Sequence, residues 1–407
     1  MASFASTVPV LTERKGRSAM SRRHISFFAL CLGFFIIMMD TTTIPLVYTR
    51  LMEVFDTGPG NVAWVNNSFL ITYAAFLLLG GRLGDALDRK RVVAVALLTV
   101  VAGAAVSGAA STLEVMVAGR ALMGVGAGLL APQSMAYISI LFPDDGRGRA
   151  LGIWGAVAGL ATATGPVVSQ VFLAMQAWRW VMWINIPIAV VALFIVVVCL
   201  PKDCGDGLRV RDSLVTGVYG LGIACVIVGL QLFGGSLWSP VLGSSLIVLG
   251  VGATGLLIKD ELKSNRGHIL PATVWRDATF LRTCLVSGLL GFSLTAFYLP
   301  LAFLLDVRMD YGAIITTVVM VTIAVSNAIV GPLAGHMSDR KQPEKIVRLG
   351  LILFSVASML IGVIGLIGAN GRATVVALCA AMAVAGVGTG LAFAPLANLA
   401  LVGSIYR

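Results

Sequence analysis

The sequence predicts an all-α integral membrane protein with twelve transmembrane helices. Three observations carry that reading. The 407 residues are 58% hydrophobic and only 12% charged, where a soluble domain carries about 25% charged residues. The mean hydropathy is +0.95. The charges fall almost entirely in short gaps between twelve apolar stretches, each near the roughly 20 residues needed to cross a hydrocarbon core about 30 Å thick. No water partners the backbone at that depth, so each stretch should be helical.

The spans justify themselves in turn. Ser26–Tyr48 follows a basic, polar tail (1–25); it is too long for a signal peptide, no small-residue cleavage site follows it, and it should be retained. Asn61–Gly81 ends in Gly81-Arg82-Leu83-Gly84-Asp85, and Val92–Ala110 starts after Arg89-Lys90-Arg91. Leu113–Ile140 holds Gly124-Val125-Gly126-Ala127-Gly128 and Pro132. Ala150–Met175 is punctuated by Gly152, Gly155, Gly159, Gly165 and Pro166. Trp178–Leu200 opens on Trp178-Arg179-Trp180, a pattern for the headgroup level. Leu214–Phe233 and Val241–Ile258 have no counterpart elsewhere in the chain. Leu281–Leu305, Ala313–Gly335, Ile346–Ala369 and Ala373–Leu401 complete the set.

Lys and Arg set orientation. Twenty-four fall on the side that holds both termini, four on the other side, and Arg120 lies within a span. Both termini should therefore be cytoplasmic. The net charge of +10 is spread over the cytoplasmic segments, so nucleic-acid binding is not needed to explain it. Five of the six cysteines lie in apolar spans and Cys204 in a loop; no metal-ligand spacing occurs, and packing is the better reading.

The chain repeats itself. Gly335-His336-Met337-Ser338-Asp339-Arg340 echoes the Gly81 segment 254 residues on. Gly386-Val387-Gly388-Thr389-Gly390 with Pro395 echoes the Gly124 run 262 residues on. These echoes imply a transporter of two parallel repeats about an axis along the membrane normal. Residues 26–200 form a six-helix bundle, 201–280 a linker with two inserted helices, and 281–407 a partial bundle of four helices. Counterparts of spans five and six would be missing.

Asp40 is the most informative residue, because a carboxylate within a span is costly and usually functional. At 1.5 Å per residue, Asp40 lies roughly 12 Å and Arg120 roughly 10 Å below the outer ends of their helices. The two could meet, and a movement separating them would load or release a proton. A static buried pair that fixes packing is the alternative. Gly81, Arg82, Gly84, Asp85, Arg89 and Lys90 could latch two cytoplasmic helix ends, with Asp85 either pairing with Arg89 or capping the next helix; an ordinary basic loop is the alternative. Gly155, Gly159, Gly165 and Pro166 suit a hinge or seal, or generic close packing. Asn67, Gln133, Trp154, Asn185, Tyr298 and Asn327 could line a substrate cavity or bond between helices. No phosphate loop, metalloprotease helix or nucleophile motif occurs, so neither an enzyme nor a cofactor is expected.

Five stretches resemble the major facilitator superfamily, specifically its drug:proton antiporters with fourteen spans: Met39 to Ile44, Gly81 to Arg91, Arg120 to Gly126, Gly165-Pro166, and Trp178 through Asn185 and Pro187. The resemblance implies alternating access and proton-driven export of drugs or amphipathic metabolites. It places Asp40 and Arg120 in proton coupling, and Arg82, Asp85 and Arg89 in the latch. The chain departs from that pattern at Asp88 (usually Gly), Met123 (often Gln), Ser169-Gln170 (a Gly pair) and Ile44-Pro45-Leu46. The implied partners are a small amphipathic or cationic substrate, protons and the lipid of a cell membrane. Low Lys content and abundant Ala, Gly, Val and Leu suggest a high-GC bacterial genome. A narrow-specificity metabolite or amino-acid carrier, or a truncated non-transporting remnant, are the competing readings.

Overall fold

A computed structural model describes residues 8–142, 146–202, 210–232, 239–263, 277–305, 309, 311–340, 343–367 and 371–405. All regular structure among them is helical. In chain order the helices are α1 (Val8–Thr43), α2 (Tyr48–Phe55), α3 (Pro59–Ala86), α4 (Arg89–Ala109), α5 (Leu113–Leu141), α6 (Arg147–Ala174), α7 (Trp180–Trp183) and α8 (Asn185–Cys199). They continue as α9 (Val210–Leu232), α10 (Ser239–Lys263), α11 (Ala278–Phe303), α12 (Gly312–Arg340), α13 (Pro343–Ile367) and α14 (Arg372–Ile405).

Each predicted span coincides, among the described residues, with one or more of these helices. Among the described residues, eleven helices are long and apolar enough to cross a membrane; the ninth predicted span lies in α11, whose apolar part, Ala278–Leu294, is shorter. Three boundaries differ from the sequence expectation. α1 begins at Val8, inside the expected tail; Pro9 sits in its first turn, where a missing N–H costs nothing. The first span breaks after Thr43 into a 3-10 turn, Ile44–Val47, before α2. Pro45 causes the break, since it cannot donate and its ring opposes the carbonyl of Thr41. The sixth span divides into α7 and α8, two residues ahead of Pro187. Within the expected linker, 203–209, 233–238 and 264–276, with Cys204, lie outside the described residues.

Glycine positions govern the helix contacts. α5 packs on α3 and α4, and α14 packs on α12 and α13. A Cβ on Gly124 would strike the Phe69 carbonyl of α3, and one on Gly386 would strike the Ile323 carbonyl of α12. Gly126 would meet the Ala96 carbonyl at 2.7 Å, and Gly388 the Gly350 carbonyl at 2.7 Å. Gly128 faces the Tyr73 carbonyl and Gly390 that of Asn327. The partners on α3 and α4 recur 254 residues on, and the glycines 262 residues on. The same backbone-to-backbone seating is thus built twice.

Two apolar cores follow from this arrangement. One collects residues of α1, α3, α4, α5, α6 and α8, and the other residues of α11 to α14. α6 joins them by packing on α12. There Gly152 lies under Pro332, Gly335 over the Gly148 carbonyl, and Gly159 beside the Ala324 carbonyl. α9 and α10 form a hairpin closed by Gly229 against the Gly243 carbonyl and by Gly222 against Thr254, and α9 rests on α3 where Gly220 meets the Ala75 carbonyl.

Candidate functional site

Asp40 and Arg120 meet. Asp40 lies in the last turn of α1, ahead of the 3-10 turn, and Arg120 stands two turns into α5. Both are out of contact with solvent, at 1% and 0% exposure. Arg120 Nη1 donates to Asp40 Oδ2 at 2.5 Å and Nε donates to the Val65 carbonyl at 3.1 Å. The guanidinium carbon lies 4.5 Å from the centre of the Phe69 ring, a cation–π contact. Met123 offers its sulfur to Nη1 at 3.5 Å, which is what the departure from Gln provides. Arg120 Nη2 is buried without a partner.

Asn185, the first residue of α8, completes the cluster. Its Nδ2 donates to Asp40 Oδ1 at 3.4 Å and to the Met182 carbonyl at 3.3 Å, while its Oδ1 is buried without a partner. An apolar cap of Ile44, Val47, Leu51, Val62, Val65, Met116, Trp178 and Val181 packs beside the pair. Such shielding strengthens the ion pair and makes its rupture costly.

α6 reaches this site through its proline. Pro166 removes the N–H that would bind the carbonyl of Thr162. The Thr42 hydroxyl of α1 is shared between the Met39 carbonyl at 3.0 Å and that of Thr162 at 3.3 Å. Gly165 makes the approach possible, since a Cβ there would strike Thr42. Ser169, standing where the related pattern has Gly, donates to the Gly165 carbonyl at 2.6 Å.

The charged turn lies at the far end of α3. Asp85 pairs with Arg89, while Asp88 caps α4 by accepting from the Lys90 N–H at 3.1 Å. Both roles weighed for Asp85 are therefore filled, by two different aspartates. Gly84 is pressed onto Gln133, Gly81 lies beside Pro132, and Arg82 Nε is buried without a partner.

The expected cavity residues do not gather at one place. Gln133 is fully buried and donates to the Gly80 carbonyl at 2.6 Å; it fastens α5 to α3 rather than facing a cavity. Asn185 belongs to the Asp40 cluster. Trp154 stacks on Phe34 at 3.8 Å. Asn327 sits where α6, α12 and α14 meet, beside Gly159 and Gly390. Asn67 is half-buried on α3, and the Tyr298 side chain lies outside the described ones. A cleft between α6 and α12, lined by Val167, Thr317, Val321, Thr322 and Ser326 among others, includes none of these six. Gly155 has open space where a side chain would stand, so Gly152 and Gly159 are the close-contact glycines of α6. Asp40 as the partner of Asn185, the Val65 carbonyl and the Thr42–Thr162 link lie beyond the sequence reading. Pro166 with Thr42 held the only sequence clue: a proline frees the carbonyl four residues back, and a hydroxyl can fill it.

A duplicated scaffold of apolar, membrane-length helices with a buried ion pair in one bundle defines a multi-pass membrane protein. The family model described as Major Facilitator Superfamily matches residues 30–403, and the chain belongs to that superfamily. It is 29% identical over 332 residues to an uncharacterized MFS-type transporter of Mycobacterium tuberculosis, covering 82% of this chain and 57% of that protein. The chain thus spans little more than half the length of that relative. It is 29% identical to the puromycin resistance protein pur8 of Streptomyces alboniger, covering 83% of this chain and 67% of that protein. It is 26% identical to multidrug resistance protein 3 of Bacillus subtilis, covering 89% of this chain and 70% of that protein. The solved proton:xylose symporter XylE superposes with a TM-score of 0.60 at 14% identity over 95% of this chain and 83% of its own, a likeness of fold.

Proposed function

We propose that the protein is a proton-coupled antiporter that exports drugs or amphipathic metabolites, cationic ones included, by alternating access. The observation that carries this reading is the buried Asp40–Arg120 pair, held among α1, α3, α5 and α8 and linked through Thr42 to the helix that joins the two cores. A buried carboxylate stays ionised while the guanidinium faces it and takes a proton when the guanidinium withdraws. Rocking of one bundle against the other supplies that withdrawal. The resistance names of the Streptomyces and Bacillus relatives support export, and the likeness to the fourteen-span branch belongs to the same reading. The division into 26–200, 201–280 and 281–407, a cell-membrane location and cytoplasmic termini are parts of this proposal, the last resting on the Lys/Arg asymmetry. Asp85 with Arg89 then latches the cytoplasmic ends.

Everted vesicles containing the protein test it. Dye movement driven by an imposed proton gradient is expected in the wild type, absent in Asp40→Asn, and partly restored in Asp40→Glu. Gradient-driven movement that survives Asp40→Asn contradicts the proposal.

A further inference from the structure

Both oxygens of Asp40 face donors. Oδ2 takes Arg120 Nη1 and Oδ1 takes Asn185 Nδ2. Each oxygen keeps a second lone pair, but both bonds are made to the charged form and favour the ionised acid over the protonated one. Without Asn185 that preference would rest on Arg120 alone. From this geometry we infer that Asn185 is a positioning residue that holds the second oxygen, so that Asp40 takes up a proton more readily once α1 separates from α5 and α8. The inference rests on the coupling role proposed above for Asp40.

The surroundings leave Asn185 that task. Arg120 on α5 is the charge facing Asp40, and Tyr48 on α2 lies within electrostatic reach of Arg120. α6 contributes Gly165 and threonines here; its titratable residues, Arg147 and Arg149, are in its opposite first turn. α3 contributes the Val65 carbonyl, held by Arg120. α8 contributes Asn185 itself, anchored by Met182. Asn185 is fully buried, so its N–H lies out of reach of bulk solvent.

Infrared titration of the full chain in lipid vesicles tests the inference. The carbonyl band of a protonated acid that vanishes in Asp40→Asn belongs to Asp40. In Asn185→Leu the pH at which this band is half developed should move upward by about one unit, as expected for loss of one bond to a charged acceptor. Asn185→Ala, which removes the donor without adding bulk, should move it the same way and serves if the leucine variant does not accumulate. A midpoint unmoved or lowered in the substituted protein, with the band still removed by Asp40→Asn, overturns the role of Asn185 and leaves Asp40 as the proton site. If Asp40→Asn removes no titrating band, the coupling reading fails and this inference with it.

Discussion

Asp40 and Arg120 each desolvate a full charge, and each is tolerable only because the other is present. Replacing one partner leaves the other stranded. Asp40→Asn or Arg120→Met should each lower stability by about 3 kcal/mol or more, the range for breaking a buried pair. The double variant should recover part of that loss while transport remains absent. Thermal unfolding in detergent, read beside vesicle transport, checks both halves of this expectation; a double variant that transports contradicts it. This meeting was legible in the sequence, because 1.5 Å per residue gives each residue's depth from its helix end. The face that a polar residue presents was not legible. Gln133 and Asn185 read equally as cavity residues or as interhelical donors, because helical spacing does not say which neighbour stands opposite. The Val65 carbonyl left no trace, since every residue carries one.

At the level of elements, prolines and glycines decide how α1, α3, α5 and α6 meet. The Thr42 hydroxyl occupies the carbonyl that Pro166 frees. Thr42→Val keeps the shape and removes the bond, so it should cost about 1 kcal/mol and slow transport while leaving Asp40→Asn as the more severe variant. A transport rate equal to wild type would place the link outside the cycle. A side chain on Gly84 would displace the Gln133 amide that fills the space and break its bond to the Gly80 carbonyl. Gly84→Val should cost about 1–3 kcal/mol by overpacking, measured as a lowered unfolding temperature; an unchanged temperature would contradict this packing. The glycine runs were legible as repeats, and their equivalent seating on α3 and α12 gives that echo a physical cause. The splitting of the first and sixth spans was not read from the sequence, although Pro45 and Pro187 mark both places. Apolar length alone cannot tell a straight helix from a broken one.

Across the whole molecule, α6 against α12 joins the two cores. Gly152 lies 2.8 Å, by its absent Cβ, from the Pro332 Cα. Gly152→Leu must therefore push backbones apart and should reduce transport about tenfold or more, whereas Gly155→Leu, facing open space, should leave it near wild type. Vesicle uptake compares the two; equal effects would show that this seam does not govern transport. The coupling claim itself is tested most directly by proton release from purified protein in weakly buffered solution when a transported dye is added. The account predicts that dye binding releases protons from the wild type at a pH where Asp40 is protonated, and releases none from Asp40→Asn. Undiminished release from Asp40→Asn would contradict it.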